Sequence, residues 1–217
     1  MDDHKRIAAH YVTKYISDGM HIGLGTGSTV KYTIDKIGEL VAAGLDIMAV
    51  STSVETEHRA HALGIPLREL DELRLDLTID GADQVNPALA LIKGGGGALL
   101  REKIVARASE KVIIVVDETK MVDIFDFPLP VEVVPYGWKQ TQAAIRKLGL
   151  NPCLRKDTIT DNGNYILDCM YNRLDNLVEL EIALNNIPGA VENGLFINQA
   201  SEVVVGTASG AKTIRRN

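Results

Sequence analysis

The chain has 217 residues, 46% of them hydrophobic and 5% aromatic, with 23 Lys and Arg against 29 Asp and Glu for a formal charge of −6. That is enough for one domain of ordinary size, or for one that carries a smaller inserted unit. The acidic balance speaks against nucleic-acid and membrane partners and the scarce aromatics against a base-stacking platform, so positive potential for an anionic ligand must be gathered locally.

The N-terminal Met-Asp-Asp-His-Lys-Arg leads into no signal-peptide apolar segment. Residues 3–16 place Ile7, Ala8, Tyr11, Val12, Tyr15 and Ile16 at helical spacing, and Gly19 ends that helix. His21 to Leu24 is a short strand running into Gly25-Thr26-Gly27-Ser28-Thr29, after which the chain to Ala43 reads as a helix. Ile47 to Val50 is a second strand, then Ser51-Thr52-Ser53 and a helix to about Leu63. Leu75 to Ile79 is a third strand, ending in Asp80-Gly81-Ala82-Asp83. Lys93 and four glycines precede a helix over 98–109, and Val112 to Val116 is a buried strand, too short to span a bilayer. This alternation predicts an α/β fold with an open, mostly parallel, Rossmann-like sheet covered by helices on both faces.

At Phe127-Pro128-Leu129-Pro130 the character changes, because prolines this dense stop helix and sheet alike. Beyond them the pattern is strand 131–134, helix 137–148, strand 151–155, strand 164–170, helix 175–186 and strand 191–196. That is the βαββαβ order of an α+β ferredoxin-like module. We expect two domains, 1–127 plus 203–217 and 128–202, with Glu202 to Gly206 returning to the first sheet.

Ligands of open parallel sheets bind at the carboxyl ends of the strands, and four motifs fall there. Gly23-Leu24-Gly25-Thr26-Gly27-Ser28-Thr29 follows a strand and opens a helix, where free N–H groups can hold a phosphate. An ordinary turn with Ser28 or Thr29 as N-cap accounts for the same residues. A Walker loop does not, since Gly27 stands where its Lys belongs. Asp80 and Asp83 can bind sugar hydroxyls and shuttle their protons, or simply form an Asx-turn. Lys93-Gly94-Gly95-Gly96-Gly97 is entropically costly for a mere connector, and a backbone that must approach a ligand closely explains it better. Glu102 lies one turn into the next helix, whose side chains lean back toward that loop, although spacing alone reads it as a solvated acid between Arg101 and Lys103. Lys120 follows the buried strand at the same edge. His58 and His61 share a helix face without a third ligand, and Cys153 and Cys169 have no metal spacing and suit a reducing compartment.

Taken in order, these motifs, with Leu129-Pro130-Val131-Glu132-Val133, Thr160-Asp161-Asn162-Gly163-Asn164 and Ile187-Pro188-Gly189, resemble the signatures of ribose-5-phosphate isomerase, type A, over essentially the whole chain. The resemblance implies an aldose–ketose isomerase of the non-oxidative pentose phosphate pathway that interconverts D-ribose 5-phosphate and D-ribulose 5-phosphate through an enediolate. Glu102 matches the family's proton-transferring base and Lys93 the lysine near the reacting oxygens. Asp80 and Asp83 match the acids that bind the sugar and assist ring opening. Thr26, Gly27, Ser28, Thr29, Gly81, Ala82, Gly94, Gly95 and Gly96 fall in its substrate-binding loops, and Lys120 and Lys5 match its phosphate-side bases. It implies no metal and a homo-oligomer, a dimer or a tetramer; the chemistry needs no cofactor, and the charged N-terminus, the two thiols and the short apolar run predict a cytoplasmic protein. Two other classes stay open on sequence: a non-catalytic sugar-phosphate sensor, which need not retain Glu102, and a CoA-transferase-like enzyme with Glu102 as nucleophile.

Overall fold

Strands that are apolar on both faces fix the centre of the fold in the computed structural model, which describes residues 1–72 and 74–216. The first part runs α1 (Asp2–Val12), β1 (Met20–Leu24), α2 (Val30–Ala42), β2 (Ile47–Ser51), α3 (Val54–Ala62), β3 (Leu77–Asp80), β4 (Gln84–Val85), β5 (Leu91–Ile92), α4 (Leu99–Arg107) and β6 (Val112–Asp117). It continues with β7 (Leu129–Val133), α5 (Trp138–Arg146), β8 (Asn151–Leu154), β9 (Tyr165–Met170), α6 (Leu177–Asn185), β10 (Ala190–Asn193), β11 (Leu195–Phe196), β12 (Glu202–Thr207) and β13 (Gly210–Arg215). Every residue of β6 and of β12 is buried, as parallel strands covered on both faces require.

Six strands pair in the order β13-β12-β6-β3-β1-β2, with β13 antiparallel at the edge and the rest parallel. From β1 the chain passes through α2 to β2 on one side, and later sets β3 on the other side of β1. The loops leaving β1 and β3 therefore part in opposite directions, and a crevice opens at their carboxyl ends. Helix α2 buries Val30, Ile34 and Ile37 against Ile22, Leu24 and Ile79 of this sheet. Helix α1 lays the small Ala8 and Ala9 inward, so that its backbone approaches closely.

A second sheet, β10-β7-β9-β8, is antiparallel throughout. Leu129, Val131 and Val133 of β7 meet Ile145 of α5 and Leu184 of α6 in a second core, which Ala90 and Ile92 from the first part of the chain also enter. The expected single strand over 191–196 is instead two. Gly194 donates to Pro130 O at 2.8 Å and accepts from Lys93 N at 2.9 Å, so the chain changes sheets at that residue. Beyond it β11 joins β5 and β4 in a small third sheet, which spans residues from both expected domains. Two-residue strands are too short for an alternation to be seen in sequence. Other limits shift slightly. The first helix is α-helical to Val12 and a 3-10 turn over Thr13–Tyr15, β3 starts at Leu77, and β12 starts at Glu202, inside the expected 128–202 segment. Among the described residues no helix is long and apolar enough to cross a membrane.

Candidate active site

At the β1/β3 reversal the turn after β1 lies directly on the end of β3. Gly25 N donates to Ile79 O at 2.9 Å, and a Cβ on Gly25 would stand 2.0 Å from Asp80 Oδ1, so only glycine permits the contact. Asp80 accepts from the backbone N–H groups of Thr26 at 3.1 Å and Gly81 at 2.7 Å. Thr29 takes the N-cap position of α2, but its side chain makes no capping bond. The hydroxyl of Ser28 accepts from Lys5 Nζ, reaching over from α1, at 3.0 Å.

Behind this turn lies a buried cation between two buried carboxylates. Lys93 is 2% exposed, Asp80 2% and Glu102 4%. The Lys93 ammonium donates to Gly81 O at 2.6 Å, Asp80 Oδ2 at 3.0 Å and Glu102 Oε1 at 3.1 Å, which uses all three of its N–H bonds. Burial pushes Glu102 up to about 8, with Lys93 opposing and the charge of Asp80 adding to the rise. Burial also raises Asp80, against Lys93 and its two backbone donors. For Lys93, burial pulls down but Asp80 and Glu102 outweigh it, and the ammonium stays charged. Asp80 has three N–H donors, whereas Glu102 has one on Oε1 and a buried Oε2 with no partner. Hydrogen bonds favour the ionised form, so the excess proton of the trio belongs to Glu102. A carboxyl so tuned takes up and releases a proton near neutral pH.

The glycine run forms the facing wall. Gly97 N closes a turn onto Gly94 O at 3.0 Å, and Gly95 N donates to Asp83 Oδ2 at 2.7 Å. A Cβ on Gly95 would stand 2.5 Å from Asp83 Oδ1, so the contact again depends on glycine. Thr26, Gly27, Ser28, Thr29, Gly81, Ala82, Asp83, Lys93, Gly94, Gly95, Gly96, Glu102 and Lys120 line one cavity of about 90 Å³. Of the residues that the resemblance assigns to the site, Asp80 and Lys5 alone are absent from its wall: Asp80 bonds to Lys93, and Lys5 to Ser28. A roomier groove of about 460 Å³ passes His61, Arg68, Arg101 and Ile104, but none of its charged lining residues is buried.

Glu102 is not the solvated acid that its flanking bases suggest, since α4 turns it inward. Thr26 lines the cavity, and its hydroxyl bonds to Thr52 Oγ1 at 2.8 Å, Ser53 Oγ at 2.7 Å and Thr56 Oγ1 at 3.2 Å. The run Ser51-Thr52-Ser53 at a strand end was the available signal for that cluster. Arg155, whose Nη1 reaches the carbonyls of Gly94 and Gly95, had no local signal, being sixty residues away in sequence. His58 and His61 are exposed. Among the described residues no group of three or more His, Cys, Asp or Glu side chains is placed to hold a metal ion.

Comparison with known proteins points the same way. The sequence profile of ribose 5-phosphate isomerase A (phosphoriboisomerase A) matches residues 48–210. A ribose-5-phosphate isomerase A of Bacillus mycoides is 53% identical over 215 residues, covering 96% of this chain and 97% of that one. The solved ribose 5-phosphate isomerase A of Methanocaldococcus jannaschii superposes with a TM-score of 0.95 at 40% identity, over 98% of both chains. A D-ribose-5-phosphate isomerase solved in complex with phospho-erythronic acid gives a TM-score of 0.95 at 43% identity, again over 98% of both. On sequence and fold together, this chain belongs to the ribose 5-phosphate isomerase A family.

Proposed function

We propose that this protein interconverts D-ribose 5-phosphate and D-ribulose 5-phosphate, with Glu102 moving the carbon-bound proton. The observation that carries the reading is the state of Glu102: it lines the cavity, its Oε2 is buried and unpartnered, and its pKa is pushed up to about 8. Going from aldose to ketose, a proton leaves C2 and one arrives at C1, while the C2 hydroxyl proton is lost and the C1 oxygen gains one. A single base above one face of the enediolate serves both carbons, and such a base contributes about 10²–10⁴ in rate.

Negative charge gathers on the substrate oxygens in between. Lys93 supplies the nearest buried positive charge. It is bonded to Glu102 Oε1, so when Glu102 takes the proton its hold on the ammonium weakens just as the oxyanion forms. The glycine-loop amides are the other donors, and one preorganised donor of this kind is worth about 10²–10³. Asp83, on the wall and oriented by Gly95 N–H, is placed for the sugar hydroxyls and ring opening. Asp80, bonded to Lys93 at 3.0 Å, acts by holding that lysine. Lys5, Ser28 and Lys120, with the N–H groups of Gly27 to Thr29, which have no acceptor among the described residues, gather the positive potential that a phosphate needs, and anchoring it orients the reacting end.

The same reading makes the protein a cytoplasmic homo-oligomer, dimer or tetramer, that needs no cofactor and is divided into 1–127 plus 203–217 and 128–202. The test is an isomerase assay with ribose 5-phosphate in the presence of a chelator. Conversion to ribulose 5-phosphate, with exchange of the C2 hydrogen into solvent, is the expected result. An acyl-enzyme on Glu102 formed from an acyl-CoA, or binding of ribose 5-phosphate without turnover, would replace the proposal by one of its rivals.

A further inference from the structure

The four-glycine loop forms one wall of the cavity, and one side chain from the second sheet fastens it. Arg155 follows β8 and forks onto Asp168 of β9, Nε to Oδ2 at 2.9 Å and Nη2 to Oδ1 at 2.6 Å. Its remaining nitrogen, Nη1, donates to Gly94 O at 3.1 Å and Gly95 O at 3.0 Å. The planar guanidinium is suited to this: two donors match the carboxylate, and the fixed fork aims a third at the loop.

A trans peptide is planar, so the N–H of each unit points opposite to its C=O. Drawing the carbonyls of Gly94 and Gly95 toward Arg155 therefore turns the N–H groups of Gly95 and Gly96 the other way. Gly95 N–H meets Asp83 Oδ2 at 2.7 Å. Gly96 N–H finds no acceptor among the described residues, and Gly96 lines the cavity. Glycine peptides flip easily when nothing holds them, and a charged donor on a carbonyl also polarises its own amide.

We infer that Arg155, clamped by Asp168, is a positioning residue of the isomerase site: it fixes the glycine-loop peptide planes so that Gly96 N–H faces the oxygen that becomes charged in the enediolate. The inference rests on the isomerase reading above. It goes beyond an ordinary ion pair, which would tie β8 to β9 and leave the chemistry alone.

The experiment compares wild type with Arg155→Met for kcat, for KM with ribose 5-phosphate, for inhibition by phospho-erythronic acid and for melting temperature. The carboxylate of that inhibitor mimics the two oxygens of the enediolate. Failure of the wild type to isomerise ribose 5-phosphate would bring down the site reading itself, whatever the variant does. With an active wild type, we expect kcat to fall by about 10-fold or more, less than the 10²–10³ that follows outright loss of an oxyanion donor. KM should stay within about 3-fold, and inhibition should weaken by the same factor as kcat, the pattern of an interaction made in the transition state. A kcat within about 2-fold of wild type, or inhibition that does not change, overturns the inference. Should Arg155→Met fail to fold, Asp168→Asn, which loosens the clamp but keeps Arg155, is read the same way, with a kcat loss of about 3-fold or more expected and none overturning it.

Discussion

The Lys93 ammonium stands 3.1 Å from Glu102 Oε1, while the second oxygen of the same carboxylate, Oε2, is buried without a partner. Leaving a buried polar atom unpaired costs stability, on the order of 1–3 kcal/mol. In a site otherwise so fully bonded, that cost makes sense as an acceptor kept free for a substrate proton.

The pH dependence of kcat/KM should follow Glu102. Its carboxyl must be ionised to accept a proton, so activity should rise with pH and level off above about 8. Lys93 opposes the rise in the pKa of Glu102, so in Lys93→Met the acidic limb should move to higher pH, with kcat also reduced by about 10²-fold for loss of a donor charge. A limb that stays in place or moves down would separate Lys93 from the titration of Glu102.

The same shift predicts a stability effect of opposite sense. A carboxyl raised in the folded state from 4.5 to about 8 holds a proton that the unfolded chain has released. Its contribution is fully present below about 4.5 and is lost as pH rises through about 8. Glu102→Gln keeps a neutral side chain at every pH, so between pH 5 and 9 its melting temperature should fall less than that of wild type. Parallel melting curves across that range would contradict the burial-driven shift.

Removing the anchors at the far end should affect binding more than chemistry. Lys120→Ala and Ser28→Ala should raise KM for ribose 5-phosphate by about 10-fold, as expected for a charge-assisted contact worth about 1.5–3 kcal/mol. Unphosphorylated ribose should be a very poor substrate for wild type and variants alike. Comparable kcat/KM values for ribose and ribose 5-phosphate would show that the Lys5, Ser28 and Lys120 corner is not the phosphate site.

Exhaustive EDTA treatment should leave turnover intact, because Lys93 and the glycine-loop amides are the groups assigned to the oxyanion. Loss of activity that a divalent ion restores would put a metal in their place.

Much of this site could be read from sequence, because its parts are loops at strand ends and such loops carry local signatures. Gly25 to Thr29 and Asp80 to Asp83 each also read as an ordinary turn when taken alone, and it is their falling with Lys93 to Gly97 at strand ends of one sheet that marks a site. The buried state of Glu102 could not be read that way. Arg101, Glu102 and Lys103 form a charged triplet in the sequence, and only the packing turns the middle one into the cavity and buries Lys103 against Glu181 and Glu192. Pairings across long separations were also hidden, such as Arg155 to the glycine loop and β11 to β5. They depend on how the two large sheets meet, and no periodicity records that.

Steady-state kinetics of Glu102→Gln, with solvent-deuterium incorporation at C2 of the substrate as a second readout, test the central assignment most directly. The substitution keeps size and hydrogen bonding but removes the group able to accept a carbon-bound proton. The account predicts a folded protein that binds ribose 5-phosphate with KM little changed, a kcat lower by about 10²-fold or more, and exchange at C2 lost in step. Near-normal kcat, or undiminished exchange at C2, would contradict it.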